Sequence, residues 1–102
     1  MQDEGVLLVL RVRGELDLST VEQVQQAVER HCVGRGALVV DLRELEFLDS
    51  TGLGLLLGLQ RRQDGTAVAF TEPVARRVVR VLDMAGVRRL LHWVEDPGDA
   101  LT

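Results

Sequence analysis

The stretch Phe47-Leu48-Asp49-Ser50-Thr51-Gly52-Leu53-Gly54-Leu55-Leu56-Leu57-Gly58-Leu59 sets an acid and two hydroxyls side by side in a run of leucine and glycine. Before Asp49 an apolar run follows a strand, and after it the apolar residues take helical spacing, so Asp49 and Ser50 fall in a turn at a helix N-terminus. A side chain there satisfies backbone N–H groups that the first helical turn leaves without partners, worth about 1 kcal/mol. Capping explains the polar groups but not the glycines. Counted from Ser50, one helix face carries Gly54, then Leu57 and Gly58, then Arg61. Interior glycines cost about 1 kcal/mol each relative to Ala, so they imply close approach of something, either another element of the domain or a partner protein. Leu53 and Leu56 lie elsewhere on the helix as core anchors.

Residues 6–12 (VLLVLRV) read as a strand buried on both faces. Ser19-Thr20-Val21-Glu22 reads as a capping box, opening a helix whose apolar stripe is Val21, Val24, Val28 and Cys32 and which ends at Gly34 and Gly36. Residues 37–42 (ALVVDL) and 66–70 (TAVAF) are further strands, the latter preceded by an Asp64-Gly65 turn. Pro73 suits the first turn of another helix, with the stripe Val74, Val78, Val81, Leu82 and Ala85, the cap Gly86, and Arg76, Arg77 and Arg80 turned away. Residues 90–94 (LLHWV) resemble a last short strand, and Asp96-Pro97-Gly98-Asp99 the start of a helix. Strands alternating with helices predict an α/β fold: one domain over residues 1–102, a mostly parallel central sheet of about four strands, and about three to four flanking helices.

The composition narrows the chemistry. The 102 residues suit one core, and the balance of 46% hydrophobic to 27% charged is that of a folded chain. All twelve basic residues are Arg, which excludes a P-loop lysine, a Schiff-base lysine and a Ser-Lys dyad. A net charge of -4 argues against nucleic acid as a partner, since a phosphate backbone rewards a basic face. No run is long and apolar enough for direct membrane insertion and the opening MQDEG is acidic, so the expectation is cytoplasmic. The single Cys32 fits a reducing compartment and reads as a small buried hydrophobe.

Enzymatic readings of the glycine-rich segment fail on spacing. Gly52, Gly54 and Gly58 resemble a dinucleotide fingerprint, but the last interval is one residue too long. A nucleophile elbow needs glycine two residues before the serine, where Leu48 stands, which leaves Ser50 with His31 or His92 as a poor hydrolase pair. His31, His92, Cys32 and the carboxylates show no metal-ligand spacing, and His31 reads as a helix-end residue, His92 as an outward one. Neither an enzyme nor any cofactor or metal site is expected. A phosphoryl group on Ser50, by contrast, would sit at the positive end of the helix and add about -1.5 to -2 charge to a face of glycine and leucine. A docked partner would then meet an unsatisfied dianion. The only other serine is Ser19.

Three segments together resemble the STAS domain family, and within it the bacterial anti-sigma factor antagonists: Arg13-Gly14-Glu15-Leu16-Asp17 is similar to the family's Gly-Glu-Leu-Asp turn, residues 38–58 to its strand and phosphorylation segment, and Leu82-Asp83-Met84-Ala85-Gly86-Val87 to its later helix end. The resemblance implies a transcription regulator that works by partner switching. In such proteins the unmodified form binds an anti-sigma factor that is also a serine kinase, releasing the sigma factor, until that kinase phosphorylates the serine after the aspartate and a serine phosphatase restores it. Carried over, Ser50 is the phosphoacceptor, Asp49 positions it and Thr51 is its nearest competitor. The implied docking surface comprises Glu15, Asp17, Ser19, Asp49, Ser50, Thr51, Gly52, Gly54, Leu57, Gly58 and Arg61. Against the family pattern, the ends look short, as does the segment 58–64, and the helix from Pro73 looks a turn long. The resemblance also admits a STAS subunit of a lipid-transport or stressosome-like sensory assembly that is never phosphorylated.

Overall fold

The computed structural model describes residues 7–31 and 36–98. In chain order the elements are β1 (Leu7–Arg11), β2 (Gly14–Leu16), α1 (Val21–His31), β3 (Ala37–Asp41), β4 (Leu45–Leu48), α2 (Ser50–Gln60), β5 (Ala67–Thr71), α3 (Arg76–Met84) and a 3-10 turn at Arg88–Leu90. The strands form two parallel sheets, β1-β3-β5 and β2-β4. Val39, in the middle of β3, pairs with Val9 on one side and Ala69 on the other. A central parallel strand is covered on both faces, so all five residues of β3 are buried and it reads as a continuous apolar run. The core joins Leu38, Val40 and Phe70 from the sheet to Val28, Leu56, Val78 and Leu82 from the helices.

The α/β class and parallel strands agree with expectation, and four details do not. β1 is not buried on both faces: it borders the sheet, with Leu8 and Leu10 packed on the core and Val9 and Arg11 exposed. β2 and β4 add a second small sheet, so the Arg13 to Asp17 segment is a strand before it is a turn; a bulge follows Gly14, whose φ of 72° favours glycine. α3 begins three residues after Pro73, because the backbone stays extended through Ala75, and Val74, expected on the core stripe, stands 76% exposed. The expected strand at 90–94 shrinks to one bridge between Phe70 and Trp93, because the Trp93 indole N–H donates to the Arg88 carbonyl at 2.7 Å and the segment folds back into the 3-10 turn.

The Gly86 cap of α3 is as expected, whereas Ala85, expected on the core stripe, is exposed. Gly86 adopts φ 69°, its N–H donates to the Asp83 carbonyl at 3.1 Å and the Val87 N–H to the Leu82 carbonyl at 3.0 Å, which together make a Schellman cap. Arg76, Arg77 and Arg80 face away from the core. Gly65 turns the chain into β5 with φ 96°. Cys32 and the continuation past Gly98 lie outside the described residues.

Candidate functional site: the Asp49 turn and the face of α2

Asp49 has an extended backbone and its Oδ1 accepts the Gly52 N–H at 2.9 Å, while its carbonyl accepts the Leu53 N–H at 2.9 Å. It is therefore the N-cap of α2 and fixes the first turn, with Ser50 as the first helical residue. The Ser50 side chain is exposed, and its hydroxyl has no hydrogen-bond partner among the described residues. Thr51 is half-buried and turned toward α1, where it lines a groove with Val21, Glu22, Gln25 and Leu55. A phosphate on Thr51 would have to enter that groove beside the Glu22 carboxylate, whereas one on Ser50 would project into solvent.

The three glycines of the segment divide by role. A Cβ at Gly52 would collide with the Leu16 carbonyl oxygen and lie 2.6 Å from Leu48 Cδ1, so this glycine lets α2 sit directly on the β2-β4 sheet. Gly52 is buried beneath the expected docking face and does not contribute a surface to it. Gly54 and Gly58 are exposed, and a Cβ at either would meet nothing within 4 Å. No element among the described residues approaches these two positions. Leu57 beside them is half-buried, and Arg61 is exposed with no ion-pair partner among the described residues. Leu56 is a core anchor as expected and Leu53 packs partly against the core, while Leu59 is a second full anchor that the sequence analysis did not single out.

The loop from β2 into α1 adjoins this turn, since the Leu16 carbonyl accepts the Asp49 N–H at 3.3 Å. The expected Ser19–Glu22 capping box is not formed. Ser19 instead donates its N–H at 3.0 Å and its hydroxyl at 2.7 Å to Asp17 Oδ1. Thr20 immediately precedes α1, and its carbonyl accepts the Val24 N–H at 3.3 Å; its hydroxyl donates to the Glu15 carbonyl at 2.9 Å and accepts the Asp17 N–H at 3.0 Å. Because α1 starts at Val21, Thr20 and not Ser19 holds the position before the helix, and the Ser19 N–H and hydroxyl turn back to the Asp17 carboxylate. The Ser19 hydroxyl bond is the main reason the Asp17 carboxyl is held below its ordinary value. Glu15 projects outward from β2. The Asp17 loop and the α2 turn are thus joined through Leu16 and Asp49.

Two features escaped sequence reasoning. Leu18, 75% exposed, sits in the middle of the polar Asp17 loop; an aliphatic residue flanked by Asp17 and Ser19 was the available signal. Gln60, in the last turn of α2, accepts the His92 N–H at 2.6 Å and donates to the Val68 carbonyl at 3.3 Å, tying α2 to β5 and to the chain beside Trp93. His31 and His92 are both exposed. Among the described residues no three metal-ligating side chains converge, and no helix is long and apolar enough to cross a membrane.

A capped helix start presenting a free hydroxyl, set between a β-α loop and a bare helical stripe, is the build of a small α/β interaction domain. The STAS domain profile matches residues 1–100, and the chain belongs to the STAS domain family. It is 32% identical over 106 residues to the anti-sigma F factor antagonist of Paenibacillus polymyxa, covering 100% of this chain and 90% of that protein. It is 32% identical over 85 residues to the anti-sigma-B factor antagonist of Staphylococcus epidermidis, covering 81% of this chain and 79% of that one. Among solved structures it resembles the anti-sigma factor antagonist SpoIIAA in its unphosphorylated form, at 26% identity and a TM-score of 0.63 over 89% of this chain and 82% of that one. A sulfate transporter family protein from Wolinella succinogenes, at 16% identity and TM-score 0.69 over 92% of this chain and 80% of that one, shares the fold.

Proposed function

We propose that this protein is an anti-sigma factor antagonist switched at Ser50. The unmodified form docks an anti-sigma factor serine kinase through the α2 face and the Asp17 loop, so that the kinase lets go of its sigma factor. Phosphorylation of Ser50 breaks that contact, and a serine phosphatase renews it. The protein itself is regulatory, carries out no catalysis in this scheme, and works in the cytoplasm. The observation that carries the reading is the exposed Ser50 hydroxyl, unbonded among the described residues, beside Gly54 and Gly58, which no described residue approaches within 4 Å of a Cβ built there. Its similarity to anti-sigma factor antagonists, among them SpoIIAA in its unphosphorylated form, supports it.

The mechanism follows from charge and space. A face without large side chains admits a partner's backbone or side chains to van der Waals contact, which excludes water from the Ser50 hydroxyl. A dianion placed there would be desolvated without a cation waiting for it. Arg61 lies three turns along the helix, and the nearest carboxylate, Asp49, adds repulsion. To test the scheme, the kinase is isolated from the source cell by pull-down on the wild-type protein and incubated with it and ATP. Mass spectrometry is expected to find one phosphate on the wild type and none on Ser50→Ala. Equal phosphate on Ser50→Ala would remove Ser50 as the acceptor.

A further inference from the structure

The bare stripe leaves the affinity of the complex unexplained. Gly54 and Gly58 admit a partner closely but offer it no side chain, and Leu57 is already half-buried within the domain. Apolar burial is the main favourable contribution to most protein association, so anchors must stand beside the stripe. Leu18 is one. It projects from a loop held by the bonds of Asp17 to Ser19 and of Thr20 to the Glu15 carbonyl, and a side chain on an ordered loop loses little freedom when covered.

The groove between α1 and α2 is the other. It has a volume of about 330 Å³ and lies between Val21, Glu22 and Gln25 on one wall and Thr51 and Leu55 on the other. Thr51 and Leu55 are each one residue on from Ser50 and Gly54, so the groove runs alongside the bare stripe, and Leu18 leads into α1 at its head. Val21 and Leu55 make it apolar. Glu22 is exposed with no ion-pair or hydrogen-bond partner among the described residues, so the rim is negative.

We propose that Leu18 and this groove form the anchoring half of the docking face, and that they take from the anti-sigma factor kinase a segment carrying an aliphatic or aromatic side chain flanked by Arg or Lys. The proposal rests on the switching function given above. The apolar side chain enters between Val21 and Leu55, the flanking cation meets Glu22, and Leu18 packs on the partner's adjoining surface. Phosphate on Ser50 leaves these anchors in place and acts by holding the partner off the stripe beside them.

Calorimetry with the purified kinase recovered in the pull-down tests it, using Leu18→Ala and Glu22→Lys, both exposed positions, with Arg77→Ala on the far helix α3 as control. Leu18→Ala and Glu22→Lys are each expected to weaken binding about tenfold, and Arg77→Ala to stay within about twofold of wild type. If Ser50→Asp abolishes binding while either anchor variant keeps wild-type affinity, the anchoring proposal is overturned and the switching function stands. If Ser50→Asp binds as the wild type does, the switching function fails and the anchoring proposal falls with it.

Discussion

Replacing each glycine of α2 by alanine should separate its structural role from its docking role, because the same methyl group has opposite consequences at neighbouring positions. At Gly54 and Gly58 a Cβ meets nothing within 4 Å, so only the backbone effect remains: alanine removes unfolded-state freedom and stabilises a helix interior by about 0.5–1 kcal/mol. At Gly52 the same gain of about 1 kcal/mol is opposed by overlap with the Leu16 carbonyl and with Leu48 Cδ1 at 2.6 Å. The leucine tip can turn away, but the carbonyl is held by the Asp49 N–H, so α2 must lift from β2 and weaken its own cap. Overpacking at about 1–3 kcal/mol plus about 1 kcal/mol of lost capping, less the propensity gain, leaves Gly52→Ala about 1–3 kcal/mol less stable. Thermal melts followed by far-UV circular dichroism resolve this easily, since 1 kcal/mol corresponds to about 4–8 °C in a domain of this size. Gly54→Ala and Gly58→Ala should melt above the wild type yet bind the kinase more weakly. A Gly52→Ala protein as stable as wild type, or a Gly54→Ala protein that melts lower, would refute the division of the glycines.

Asp41, 6% exposed at the end of β3, accepts from Arg43 Nε at 3.0 Å and Nη2 at 2.8 Å and from the Thr71 hydroxyl at 2.7 Å. The Arg43 hydrogen bonds hold its carboxyl far below the ordinary 3.8, so its stabilisation is complete above that value and is lost as pH falls toward the much lower folded one. Asp41→Asn should cost about 1–3 kcal/mol at pH 7 and flatten the acid limb of a urea-midpoint profile; an unchanged limb would refute this. Gln60→Ala should leave the His92 N–H and the Val68 carbonyl without their side-chain partner, lower stability by about 1–3 kcal/mol, and alter emission from the sole tryptophan, Trp93. An unshifted Trp93 spectrum together with an unchanged urea midpoint would show that Gln60 does not tie α2 to this segment.

What was legible in the sequence were the features that leave a local pattern several residues long. β3 announces itself as an unbroken apolar run, α1 by its stripe, α2 by the polar turn at Asp49, and the end of α3 by Gly86. β2 and β4, three and four residues long, are too short to show a period, and their strand conformation comes from pairing Glu15 with Phe47 across the chain. The strand expected at 90–94 was lost to the Trp93 indole, whose partner Arg88 no alternation rule could supply. Gln60 was invisible for the same reason, since its partners lie 8 and 32 residues away. At the site, the sequence identified three unusual glycines but could not rank them. That ranking needs the position of the Leu16 carbonyl, which touches one glycine and leaves the other two open.

This division bears on why one modification could act without disturbing the fold. Asp49 already supplies the cap, and Gly52 already locks the first turn to Leu16, so a phosphate on Ser50 has no structural task and displaces no bond that the Ser50 side chain makes. In the free protein its charge faces water, where repulsion from Asp49 is weak. Once a partner covers Gly54 and Gly58 the surroundings change: two unit charges about 4 Å apart repel by about 1 kcal/mol in water but by about 4 kcal/mol at the effective dielectric of a protein boundary. The difference of about 3 kcal/mol falls only on the complex and corresponds to a loss of affinity of two orders of magnitude or more, before any desolvation is added. The phosphorylated domain should accordingly keep its melting temperature within a few degrees of the unmodified one while losing the partner. A phosphoform that melts far lower would mean that the switch works by unfolding the α2 turn instead of by charging its face.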